Sequence, residues 1–137
     1  LIENLRILDH SIKDKLLKLK SKYPEIISEI RGSGCHYGII FKKKLTFLGK
    51  IIKLIPINFI RDPLFIDKII ATSVMEEYFS TKNVISSFTS NGEVILNISP
   101  PINCKKIIIE KKIDDLELVL KKGLHKLVLK FIKKNIL

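Results

Sequence analysis

Arg31-Gly32-Ser33-Gly34-Cys35-His36-Tyr37-Gly38-Ile39-Ile40-Phe41 is the stretch on which the fold turns. Three glycines fall within seven residues and lead straight into an apolar run. Glycine adopts backbone angles that other residues resist, so Gly32 and Gly34 predict a sharp turn. Residues 35–41 have the length and the β-branched and aromatic content of a strand, with Gly38 a point where another backbone or a ligand can come close. A glycine pair ahead of a strand is unspecific by itself, and it lacks the helix that follows a phosphate-cradling loop.

Upstream, Ile2, Leu5, Leu8, Ile12, Leu16 and Leu19 recur every three or four residues, which puts them on one face of an amphipathic helix over 1–22. Lys13, Lys15, Lys18, Lys20 and Lys22 crowd its later turns, where cations complement the negative helix end, and Pro24 blocks continuation past Tyr23. Residues 25–30 read as a short apolar and acidic connection into the glycine turn.

Beyond the strand, 43–66 reads as a variable insert, dense in apolar residues, interrupted by Lys50 and Lys53 and punctuated by Pro56 and Pro63. A short helix or helical hairpin packed on the body fits it, and so does a cationic helix lying in a membrane interface. Asp67 is a candidate cap for a helix over 64–80 whose buried stripe is Ile69, Ile70, Val74, Met75, Tyr78 and Phe79.

Residues 84–89 and 93–99 are β-prone runs separated by Asn91-Gly92, a pair that favours hairpin turns, and Pro100-Pro101 ends the second run. Residues 102–109 read as extended or irregular. A final helix is expected from about 110–114, with Ile113, Leu116, Leu120, Leu124, Leu127 and Phe131 on one face, widened by Val119, Val128 and Ile132. Gly123 falls inside it at about 1 kcal/mol relative to alanine, which suggests a close helix contact. The predicted order is helix, strand, insert, helix, strand, strand, helix. That is an α+β layout with helices on one face of a small, mainly antiparallel sheet.

The chain of 137 residues suits one domain, and 46% hydrophobic residues suffice for a core. It opens at Leu1, without an initiator methionine and already inside a helical pattern, so it reads as a piece of a larger protein. The formal charge of +11 invites a polyanion-binding reading. Against it, Arg6, Arg31 and Arg61 are the only arginines among 25 cations, and the lysines are spread along nearly every segment with few aromatics between them. Phosphate and base recognition favours the planar arginine fork and stacking rings, so a solvated lysine surface accounts better for the charge. Cys35 and Cys104 are isolated, with no CxxC pair and no histidine at ligand spacing, which argues against a disulfide framework or structural zinc. No apolar run reaches membrane-spanning length, and no signal peptide is visible; the cytoplasm is the expected compartment.

Catalytic groupings are sparse. His10, His36 and His125 are far apart in sequence, Ser86-Ser87 and Ser90 have no nucleophile elbow, and Asp114-Asp115 suit a helix start better than an acid/base pair.

In combination, the order of elements and two motifs resemble the C-terminal part of class III, fold-type I pyridoxal-phosphate aminotransferases, the group of ornithine, acetylornithine and putrescine aminotransferases. The first is a Tyr-Pro break before an Arg-Gly-x-Gly turn and a Gly-Ile strand, here Tyr23-Pro24, Arg31-Gly32-Ser33-Gly34 and Gly38-Ile39-Ile40. The second is a strand of the type Val-Ile-Arg-x-x-Pro-Pro-Leu ahead of a helix containing Ile-Asp, here Ile95-Leu96-Asn97-Ile98-Ser99-Pro100-Pro101-Ile102 and Ile113-Asp114. The insert together with Glu77-Tyr78-Phe79 and 84–89 looks most like the putrescine-type branch.

The resemblance implies an enzyme that moves an amino group from a donor amine or ω-amino acid to a 2-oxo acid through lysine-bound pyridoxal 5'-phosphate, the cofactor serving as electron sink. It places the cofactor lysine, the aspartate at the pyridine nitrogen and the phosphate loop in a large domain outside this chain, so no catalytic or cofactor-binding residue is assigned here and the chain alone is expected to be inactive. The small domain contributes one wall of the substrate site. Asn97 stands where relatives carry a carboxylate-binding arginine, and Arg31 matches the family turn; these two are the substrate-binding candidates. Asparagine offers neutral hydrogen bonds in place of a charged bidentate grip, which implies altered substrate handling, a substitute arginine such as Arg61, or degeneracy. The implied partners are the large domain and a second copy in a homodimer, with no nucleic acid or membrane. The competing reading is a basic interaction module for nucleic acid or an anionic membrane.

Overall fold

A computed structural model of the chain describes residues 1–43, 50, 53, 55, 56, 58 and 61–136. The helix or helical hairpin expected within 43–66 falls on residues outside that set. Helix α1, Ile2–Lys22, ends at Tyr23, whose N–H bonds the Leu19 carbonyl. Leu8, Ile12, Leu16 and Leu19 are buried along its predicted stripe, whereas Ile2 stands in solvent.

The connection expected over 25–30 is a strand. β1 (Ile27–Ser33) pairs antiparallel with β2 (His36–Phe41), so the glycine turn closes a hairpin rather than merely opening a strand. Ser33 faces His36, leaving Gly34 and Cys35 as a two-residue loop, with φ of 59° and 66°. Positive φ at both central residues marks the type I′ turn, whose twist matches the flanking strands. Gly32 is required beside it: φ is 133°, and an added Cβ would lie 2.0 Å from the His36 carbonyl oxygen.

Helix α2 is Phe65–Lys82. The cap expected from Asp67 is not made: the helix start at Leu64 has no side-chain cap, Asp62 Oδ1 accepts the N–H of Leu64 itself at 2.9 Å, and Asp67 stands in the first turn and pairs with Lys43. Ile69, Ile70, Val74 and Tyr78 are buried as expected, and Phe79, predicted in the stripe, is 56% exposed. It is one step off the face that Val74 and Tyr78 turn inward. β3 (Ser87–Ser90) and β4 (Val94–Ile98) form the second hairpin, around Asn91 and Gly92.

The chain beyond Pro101 also departs from expectation. Helix α3 begins at Lys106 and runs to Leu120, well before the predicted start, after a turn in which the Cys104 N–H bonds the Pro101 carbonyl at 2.9 Å. The predicted final helix is two: the first ends at Leu120, and Gly123, at φ 89°, stands at the start of α4, Leu124–Asn135. The break lets both pieces bury an apolar side, with Ile113, Leu116 and Leu120 from α3 joining Leu124, Leu127, Val128 and Ile132 from α4 in one core.

The antiparallel sheet has the order β1-β2-β4-β3. Cross-strand partners share a face. One row, Ile30, Ile39, Leu96 and Phe88, lies on the helix side, where Ile39 and Leu96 are fully buried. The next row, Arg31, Gly38, Asn97 and Ser87, lies on the opposite side, which is polar. The fold is α+β, with the helices over one face of the sheet. No helix among the described residues is long and apolar enough to cross a membrane.

Candidate functional site

The two sequence motifs meet at the join of β2 and β4. Tyr37 faces Ile98, and beside them His36 Nδ1 and Ser99 Oγ share a hydrogen bond of 2.6 Å, tying the residue after the glycine turn to the one before Pro100. The turn is anchored from below by Asp9 of α1. Its Oδ1 accepts the Tyr37 hydroxyl at 2.6 Å and the Cys35 N–H at 3.0 Å. These bonds, the Tyr37 one foremost, hold the Asp9 carboxyl below the usual carboxylate range. Burial and the same bond push the Tyr37 hydroxyl well above its ordinary value.

Arg31 and Asn97 occupy the same row of the sheet, separated by Gly38. A Cβ at Gly38 would lie 2.2 Å from Ile95 Cγ2, so the Ile95 side chain fills the space above it. Arg31 is engaged on two sides. Glu29 accepts from Nε at 2.7 Å and from Nη2 at 2.9 Å, and Glu93 takes Nη1 and, at 3.2 Å, Nη2. The bonds to Glu29 first, then Glu93, drive the guanidinium still further toward the charged form. The amide nitrogen of Asn97 donates to Ser87 Oγ at 3.3 Å. Arg61, the candidate substitute cation, is exposed and does not line the groove beside Asn97.

That groove, of about 230 Å³, opens at the end of β4, between the approach to β3, the double proline and the first turns of α3. Its walls are mainly apolar, from Ile85, Pro100, Pro101, Ile108 and Ile109. Ser86 belongs to its lining, and the Ser86 hydroxyl oxygen, sealed from solvent, has no hydrogen-bond partner. Lys112 is the one charged side chain in the lining. Sequence reading singled out neither Ser86 nor Lys112 as a site residue. Only the tertiary fold brings 84–86 beside α3, the helix that carries Lys112. Glu29, two residues from Arg31 on the same strand, escapes a reading of 25–30 as a connection, and Glu93 reaches Arg31 from the second hairpin.

The fold is shared with parts of known structures. About a quarter of a transaminase chain from the marine bacterium Virgibacillus superposes on 97% of this chain, at TM-score 0.56 and 17% identity. The fold is an aminotransferase fold in part. A Bacillus anthracis aminotransferase matches over 88% of this chain and 25% of its own, at TM-score 0.55 and 21% identity. The chain thus spans about a quarter of the length of the structures it matches. No protein-family model and no curated protein matches the sequence.

Proposed function

We infer that this chain is the small, C-terminal domain of a class III pyridoxal-phosphate aminotransferase, which moves an amino group between an amine or ω-amino acid and a 2-oxo acid. The observation that carries this reading is the meeting of the glycine-turn hairpin and the double-proline strand end in one sheet, in a fold shared with about a quarter of two aminotransferase chains. In the reading, Asn97 and Arg31 form part of one wall of the substrate site. With Asn97 neutral and Arg31 already held by two carboxylates, neither offers a free cation to a substrate carboxylate.

The cofactor does not fit the groove beside Asn97. That groove has one lysine but no carboxylate to face a pyridine nitrogen, and its walls are apolar. The large domain of a longer chain is therefore the cofactor's holder, the assembled enzyme is a cytoplasmic homodimer, and this domain by itself is inactive.

The test is the polypeptide that encodes this domain. A reading frame extending upstream of Leu1 into a domain whose lysine binds pyridoxal phosphate, with amine-dependent conversion of a 2-oxo acid, is expected. A frame with no such domain, or a product that never binds the cofactor, ends the reading.

A further inference from the structure

We propose that Asn91 is a self-modification site, where the Gly92 backbone nitrogen attacks the side-chain amide and converts Asn91 to aspartate and isoaspartate beside Glu93. Of the seven asparagines, Asn91 alone precedes a glycine; each of the others precedes a residue whose side chain crowds the attacking nitrogen. Gly92 stands at φ 76°, with nothing within 4 Å of the place its Cβ would take. Residues 91–93 are exposed, and among the described residues none hydrogen-bonds the Asn91 side chain or the Gly92 N–H. Elsewhere the amides are held: Asn4 donates to the Ile102 carbonyl, Asn97 to Ser87 and Asn135 to Glu76. A free amide beside a free glycine nitrogen is the thermally labile combination.

The step needs water alone. The Gly92 nitrogen bonds to Asn91 Cγ, its proton passes through solvent to the departing amide nitrogen, and the Cγ–N bond breaks to release ammonia. The product is a five-membered succinimide. Water opens that ring at either carbonyl, which leaves aspartate or an isoaspartate whose backbone runs through the β-carbon. β3 and β4 are last paired at Ser90 and Val94, so the loop is Asn91-Gly92-Glu93. An isoaspartate adds one carbon to that short path, next to the residue pair that carries the Glu93 carboxylate to Arg31 Nη1 and, at 3.2 Å, Nη2. Conversion therefore loosens Glu93 from Arg31 and leaves the guanidinium to Glu29. The chemistry at Asn91 is independent of the transaminase reading; only the view of the Arg31 row as a substrate wall rests on it.

The experiment ages the folded 137-residue chain at body temperature in mildly alkaline and mildly acidic buffer. Peptide mass spectrometry follows the amide-to-acid mass gain at each asparagine, and methylation by an isoaspartate methyltransferase reports the isomer. Conversion at Asn91 is expected to run at least about tenfold faster than at any other asparagine, and Gly92→Ala to slow it about tenfold. It should be faster in alkali, because the attacking nitrogen must shed its proton. An intact Asn91, equal rates at the other asparagines, or equal rates in the two buffers overturn the site. If Gly92→Ala does not fold, the ranking of the seven asparagines and the pH comparison decide. The Arg31 guanidinium NMR signals of the isoaspartate fraction should move toward those of Glu93→Gln; signals at wild-type positions overturn the effect on Arg31. Conversion in a polypeptide that never binds pyridoxal phosphate would keep the site and remove the transaminase reading; an active transaminase whose Asn91 stays intact would do the reverse.

Discussion

Asp9 ties the first hairpin to α1. Its carboxylate joins α1 to the tip of a hairpin more than twenty residues later, and it does so through the hydroxyl of Tyr37, which is 4% exposed. Asp9→Ala leaves that hydroxyl and the Cys35 N–H without their acceptor, and a loss of about 1–3 kcal/mol in chemical denaturation is expected. Because the folded chain holds the Asp9 proton less tightly than the unfolded one, this stabilisation is complete above the unfolded value of about 3.9 and is lost as pH falls through the lower folded value. The wild-type and Asp9→Ala stabilities should therefore converge in acid; a constant gap would mean that the carboxylate's charge is irrelevant to the tie. Gly38 makes a steric prediction. Gly38→Ala drives a methyl into Ile95 Cγ2 and is expected to cost about 1–3 kcal/mol, and the same substitution in an Ile95→Ala background should cost less. Additive losses in that double-mutant cycle would show that the contact is not the cause.

At the scale of elements, α2 and α4 are clasped by Glu77, which is 5% exposed and accepts from Lys122 at 2.6 Å and Lys130 at 2.8 Å. Burial pushes its carboxyl up, and the two lysine bonds more than reverse that, so it lies below the ordinary range. Both lysines remain partly in water, which moderates what the clasp is worth. Glu77→Gln is expected to lower stability by about 1–2 kcal/mol at neutral pH. The deficit should shrink as pH falls through the folded value of Glu77, since the wild-type carboxylate is then neutral too. Equal urea midpoints at neutral pH would contradict it. The elements themselves were legible to differing degrees. The stripe of α1 and the residues of the α3 and α4 core stood out through their three-and-four spacing. β1 did not, because it is an edge strand whose register shifts between Ile27 and Glu29, and that irregularity breaks the alternation by which a strand is recognised. The start of α3 was hidden by Ile107-Ile108-Ile109, β-branched residues that read as extended until burial of Ile109 and Ile113 is known.

For the whole molecule, the charge of +11 is distributed rather than focused. Lys15 and Lys22 of α1 reach Asp114 and Glu117 of α3, and Lys134 of α4 reaches Glu76 of α2, so part of the lysine content stitches helices together. Weak binding to duplex DNA that vanishes at physiological salt is expected, the behaviour of scattered cations. Retention at that salt with a steep salt slope would instead favour the basic-module reading.

By itself, the sequence determined the α+β class, the helical stripes and the second hairpin, because periodicity and turn chemistry are local and survive without any partner; the Asn97 and Arg31 candidates came from the family resemblance alone. The tertiary structure alone decided that the glycine turn closes a hairpin, that Gly123 splits the last helix, that Arg31 is held by Glu29 and Glu93, and that Ser86 and Lys112 share a groove. The hairpin turn and the helix break are local, yet like the Arg31–Glu93 pair and the groove they are fixed only once the sheet and the helices have packed.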